Sequence, residues 1–228
     1  MVQDVSAFRT IHLISYIKYH AMSVTLIIIV VTVIISVAAW NNYGLMDRWI
    51  MNPYQVASRG QYYRLITSGF LHADWGHLFF NMLSLYFFGG YIEQVFDMLF
   101  GNNAPIFLIG FYLVAILVSD IPSFLKHRND PGYNSLGASG GVSAIIFAAI
   151  LFRPLTPIYF YFIPIGIPGF IFGALYLAYS YYESKRGGSH INHDAHFYGA
   201  LFGVVLMILI YPAVIPSFIE QIAGWRLF

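Results

Sequence analysis

The sequence has 228 residues, of which 59% are hydrophobic and only 9% charged, with a mean hydropathy of +0.69 and a formal net charge of +1. A soluble domain of this size needs far more charge to cover its surface, so the bilayer is the expected solvent. The absence of cysteine excludes a disulfide framework and a thiol nucleophile, and a near-neutral chain without a basic run argues against nucleic acid as a partner.

Residues 1–21 carry Asp4, Arg9 and Lys18 among aromatic and histidine positions and lack a signal-peptide cleavage pattern. They are expected to form an interfacial segment ahead of the first span. Apolar runs at 22–40, 77–98, 104–122, 139–153, 167–182 and 195–215 have the lengths of membrane helices, some of them short. The pattern predicts an all-α membrane protein, a single polytopic bundle over residues 22–216 with 217–228 as a C-terminal tail.

The first run ends on Trp40, a residue suited to the membrane interface. The connection over 41–76 holds Trp49, Tyr54, Tyr62, Tyr63 and Trp75 beside Arg48, Arg59 and Arg64. It is too long for a turn and too aromatic for a solvated linker, so it is expected to pack on the bundle or lie in the interface. Pro154, Pro157, Pro164 and Pro168 delay the fifth helix to near Gly169. The polar stretch 183–194, with Gly187 and Gly188, reads as a mobile loop.

The fourth run is the odd one. From Ser139 to Phe152 it covers roughly 21 Å of helix, against a hydrocarbon core of roughly 30 Å. Ser139 therefore falls below one interface, where irregular backbone is tolerated only inside protein or beside a water-filled cavity. That puts the hydroxyl at the floor of a pocket.

Ionisable and polar groups inside spans are costly and demand a reason. His77 and Asn81 share one helix face, and Gly89, Gly90 and Glu93 follow on the same run. His196 stands at the top of a face made by Gly199, Ala200 and Gly203, and the fourth run has its own small stripe at Gly140, Ala144 and Ala148. Two such faces allow close backbone approach and could bring Ser139 and His196 to hydrogen-bonding distance. A serine hydroxyl needs that neighbouring base before it is nucleophilic.

Each feature also has a plainer reading. Small-residue stripes are common packing devices, and His77 with Asn81 could be interhelical glue. His190, His193, Asp194 and His196 have the ligand types of a metal site, yet a histidine-bearing loop is more often merely solvated. Glu93 reads as structural and needs a partner, with Arg64 the candidate if the long loop folds inward.

Together the motifs resemble the rhomboid family of intramembrane serine proteases. The matching features are Tyr63-Arg64, "HLFFN" (His77 to Asn81), "GGYIE" (Gly89 to Glu93), "GASGG" (Gly137 to Gly141) and "AHFYGALFG" (Ala195 to Gly203), in order and in register. The resemblance implies six transmembrane helices with a cytoplasmic N-terminus and a long interfacial loop after the first. It implies a Ser139–His196 dyad without an acidic third member, and oxyanion donors from His77, Asn81 and the Ser139 backbone. Arg64 paired with Glu93 would hold the long loop, Gly199 and Gly203 would be structural, residues 183–194 would cap the site, and the fifth span would be a lateral gate. No cofactor or metal is implied. The substrates would be membrane proteins with a transmembrane segment, and the location an inner or plasma membrane.

Two departures stand out. Ser143 occupies a position that in the family is often an aromatic against which the histidine packs, so the His196 ring must be held by other groups, such as Phe197 or Tyr198. Tyr63 stands where tryptophan is usual. The charges also point the other way. A cytoplasmic N-terminus puts Arg9, Lys18, Arg153 and Arg226 inside but Arg48, Arg59, Arg64, Lys126, Arg128, Lys185 and Arg186 outside, against the positive-inside rule. Two other functions remain on the table: a catalytically silent rhomboid-like protein that binds membrane clients, and a metal-dependent enzyme or transporter built on the histidine cluster.

Overall fold

The computed structural model describes residues 23–159, 165–186 and 191–226. The expected interfacial segment 1–21 and His190 lie outside the described residues. Among the described residues the architecture is all-α apart from one antiparallel pair of three-residue strands.

Helix α1 (Val24–Trp40) begins where the Ser23 hydroxyl accepts the Leu26 N–H. Three short helices follow, α2 (Tyr43–Trp49), α3 (Pro53–Arg59) and α4 (Arg64–Thr67). Asn42 and Asn52 cap the first two through their side chains, and Pro53 sits in the first turn, where its missing N–H costs nothing. The 41–76 connection is thus folded. Met51, Val56 and Leu65 are buried together against Leu117 and Phe124, and Met51 bridges Ser135, just ahead of Ser139.

Helix α5 (Trp75–Ser84) runs through a π-helical turn at Leu85–Gly89 into α6 (Gly90–Phe100). Helix α7 (Ala104–His127) then folds back on α6. Phe96 meets Phe111 at 5.6 Å and Phe100 stacks on Phe107 at 4.2 Å, the ladder of an antiparallel hairpin. Next come α8 (Ser139–Phe152), strands β1 (Pro157–Tyr159) and β2 (Gly166–Pro168), α9 (Gly169–Arg186), α10 (His193–Ile210) and α11 (Val214–Ala223). The prolines do delay α9 to Gly169. Its far end runs on to Arg186, so helix covers the start of the stretch expected as a loop, and α11 covers part of the expected tail.

Helix α8 is the core of the molecule. Its residues from Gly140 to Leu151 are buried except Ile146, so this short helix is sheathed by its neighbours. The closest packing is between α8 and α10, through the two small-residue stripes. A side chain at Gly199 would collide with the carbonyl oxygen of Gly140, and one at Gly203 with that of Ala144. The two backbones touch there, which only glycine permits.

Arg64 and Glu93 do not pair. Arg64 is buried and donates to Gln61 Oε1 (2.6 Å) and to the carbonyls of Asp47 and Ile50 (both 2.7 Å), bracing the 41–76 connection internally. Glu93 accepts from Val24 N (2.6 Å), Thr25 N (3.1 Å) and Ser23 Oγ (2.7 Å). It caps the first turn of α1, where a carboxylate also complements the helix dipole. The reason is position: the loop leaves the far end of α1, a helix length away from the end that Glu93 meets.

Candidate active site

Ser139 is the first residue of α8 and is half-buried. The segment before it is pinned on both sides. Met51 and Ser135 exchange two 3.0 Å backbone bonds, and Gly137 N–H donates to Ser68 O at 3.0 Å. Gly137 has φ 131°, in the region L side chains avoid, and a Cβ there would lie 2.7 Å from His77 Cε1. Glycine therefore lets the His77 ring lie against the segment entering Ser139.

His77 is placed by the N-cap of α5, where Asp74 Oδ1 accepts the His77 N–H at 2.8 Å. Its ring meets the edge of His72 at 4.9 Å. His72 lies in the connection and is fully buried, with Nδ1 2.9 Å from Ser36 Oγ and its carbonyl taking the Trp40 indole N–H at 2.7 Å. Burial pushes its pKa down to about 3, with the neighbouring His77 adding to the effect, so His72 is a neutral brace. Asn81, one turn beyond His77, is buried and donates one amide N–H to the His77 carbonyl at 2.9 Å.

His196 lies in the first turn of α10. Asn192 caps that turn, its Oδ1 accepting from Ala195 N (3.1 Å) and from Ser123 Oγ of α7 (2.9 Å). The His196 ring lies nearly parallel to Tyr176 of α9, at 6.0 Å and 18°, with the His193 ring edge-on at 5.9 Å. Phe197 packs instead on Tyr181. The expectation that Phe197 or Tyr198 holds the histidine is therefore replaced by Tyr176. Gly199 and Gly203 seat α10 on α8, so the first turns of both helices lie side by side. No hydrogen bond joins Ser139 Oγ to the His196 ring.

One residue not singled out from the sequence, Asp120, sits beside Ser139. Asp120 of α7 is buried, accepts from Ser68 Oγ at 3.2 Å, and shares with Ser135, Ser139 and Asn192 a cavity of about 10 Å³, the space of about one water. An aspartate within an apolar run was the available signal. A larger cavity of about 460 Å³ opens at the other end of α8, between Phe87, Tyr91, Ile150, Arg153 and Tyr159.

Among the described residues no group of three metal-ligating side chains comes together. Asp194 is engaged by Lys126 at 3.5 Å and by the Ser184 hydroxyl, and His193 is buried against Tyr179. Several of the basic residues that upset the charge count are likewise engaged. Arg64 is buried, Lys126 pairs with Asp194, Arg186 pairs with Glu183 at 3.6 Å, and Lys185 lies 5.5 Å from the Tyr181 ring centre.

The arrangement puts a hydroxyl at a helix N-terminus, where unpaired N–H groups favour developing negative charge. The His77 ring lies against the segment entering Ser139, and His196 stands in the first turn of the neighbouring α10. The pattern of the Rhomboid domain matches residues 59–213, which takes in all of these groups. The chain belongs to the rhomboid family.

Among curated proteins it is 30% identical over 179 residues to RHOMBOID-like protein 12, mitochondrial, of Arabidopsis thaliana, covering 70% of this chain and 51% of that one. Rhomboid-like protein 11, chloroplastic, from the same plant is 27% identical over 181 residues, covering 72% and 58%. Rhomboid-like protein 17, chloroplastic, is 27% identical over 186 residues, covering 76% and 56%. This rhomboid thus spans little more than half the length of the curated relatives it matches. As a rhomboid it is integral to a membrane. The expectation of a plasma membrane is not supported, since these relatives are named for mitochondria and chloroplasts.

Proposed function

We propose that this rhomboid is an intramembrane serine endopeptidase that cleaves membrane-protein substrates in or beside a transmembrane segment. On this reading α1, α5–α6, α7, α8, α9 and α10 are six spans, and the short α8 presents Ser139 below the interface. His196 takes the Ser139 proton as Oγ attacks the scissile carbonyl. The Ser139 N–H, the His77 ring and the Asn81 amide donate to the oxyanion, each worth several kcal/mol when preorganised (roughly 3–4 per donor). His196 then protonates the leaving amine. Water, activated by the same imidazole, hydrolyses the acyl-enzyme and regenerates the serine. No metal or cofactor enters these steps.

The observation that carries the reading is the α8–α10 seam. It sets the first turns of the two helices against one another, with His77 fitted to Gly137 alongside. Catalytic hydrogen bonds are often long before substrate binds, which suits the open Ser139–His196 geometry. That same openness favours a second reading, a silent rhomboid-like protein that binds membrane clients.

A fluorophosphonate probe separates the two in detergent or liposomes. Covalent labelling of the wild type that vanishes in Ser139→Ala and His196→Ala supports the peptidase. A folded wild type that stays unlabelled, and leaves a transmembrane substrate panel intact, supports the client-binding reading.

A further inference from the structure

We infer that Tyr176 is the positioning residue for the catalytic imidazole, carried on α9 and secured to α8 through Ser143. The inference rests on the peptidase reading and adds to it a residue on a helix that supplies neither nucleophile nor base.

An imidazole acting as a base must present one nitrogen to the hydroxyl. Its terminal torsion is broad and has no deep well of its own, so a neighbouring surface has to set the plane of the ring. In the family pattern that surface often comes from the residue four after the serine, which is Ser143 here. A serine has no ring to offer. It does have a hydroxyl, and that hydroxyl lies 3.0 Å from the Tyr176 hydroxyl. The Tyr176 ring lies nearly parallel to His196, at 18° and 6.0 Å between centres, within the range of favourable ring contacts.

The tyrosine is held on its other sides as well. Phe147 of α8 packs on it at 5.6 Å and Phe172 of α9 at 5.8 Å. Ser139, Ser143 and Phe147 follow at four-residue spacing, so they form one stripe of α8. Along that stripe lie the nucleophile, then the hydroxyl that ties Tyr176, then the ring that backs it. The aromatic surface missing from position 143 is thus supplied from α9, and the small polar residue at 143 is what makes room for it and fixes it.

The test measures kinact and KI for fluorophosphonate labelling, a step in which Ser139 Oγ bonds to phosphorus, fluoride leaves and the proton passes to His196. Wild type, Tyr176→Phe, Tyr176→Leu and the double variant Tyr176→Leu/Ser143→Phe are compared, each with its thermal midpoint in detergent. Tyr176→Leu should lower kinact by about 10- to 100-fold at unchanged KI and midpoint, the scale of effect expected from a misplaced catalytic group. Tyr176→Phe keeps the ring and should stay within about fivefold of wild type, and the double variant should recover most of the loss by returning a ring from position 143.

A folded Tyr176→Leu that labels at the wild-type rate overturns the inference and leaves the peptidase reading standing. Loss of rate in both the single and the double variant, tracking a fall in midpoint, also overturns it, since that is plain destabilisation. A wild type that labels no better than Ser139→Ala overturns reading and inference together.

Discussion

Helix α8 meets α10 and α9 in different ways. Against α10 the contact is backbone on backbone, through Gly199 and Gly203. Against α9 it runs through side chains, with Tyr176 on Ser143 and Phe147 and the Gly173 edge resting on Phe147 and Ile150. A backbone contact leaves no rotamers to adjust, so the first turns of α8 and α10 keep a fixed distance. A side-chain contact can be remade. The molecule fixes where the serine and histidine start by the first kind of contact and how the histidine ring is turned by the second.

The same substitution at both seams gives the sharpest test of this difference. Gly203→Ala and Gly199→Ala each drive a methyl into a facing carbonyl, and each should cost about 3 kcal/mol, at the upper end for overpacking. Reversible unfolding in mixed micelles would measure it, and a cost below one-third of that value would mean the seam can open. Glu93→Gln should cost less, about 1–2 kcal/mol, because the amide keeps one acceptor but sets an N–H₂ against the donors of Ser23, Val24 and Thr25. The loss should appear as faster amide exchange in the first turn of α1. Gly173→Ala should have the smallest effect. A Cβ there meets Phe147 at 3.4 Å, ordinary contact distance, and alanine favours helix over glycine by up to about 1 kcal/mol. A midpoint equal to or above wild type is expected; a fall as large as at Gly203 would erase the distinction between the seams.

Much of the fold could be read from the chain because apolar runs and proline breaks are local signals. The helix at Gly169 starts where Pro168 allows it to, and α8 is as short as the run from Ser139 to Phe152. The glycine stripes also declared themselves, because i, i+3 and i+4 spacing is a property of one helix. Partners across helices carry no such spacing. The family pattern implies a Glu93–Arg64 pair, yet Glu93 meets the start of α1 while Arg64 is bound within the connection that leaves its far end. Tyr176 was invisible for the same reason: nothing in "GALYLAYSYY" marks one tyrosine above the others until α9 is laid against Ser143. Asp120 and His72 were legible as polar residues in apolar company, but their neighbours Ser68 and Ser36 lie 52 and 36 residues away.

The capping of α1 by Glu93 has a consequence for biogenesis. Chain emerges from the ribosome N-terminus first, so α1 reaches the bilayer roughly seventy residues before the carboxylate that satisfies its first amides. Until then those amides must be met by water or headgroups, which keeps the entry to the first helix at the membrane surface. Arrival of α6 lets that turn close, and the first two hydrophobic segments become a locked hairpin. Nascent chains halted before and after residue 93 should differ in protease protection at Ser23–Thr25, placing the commitment step of assembly at a single codon.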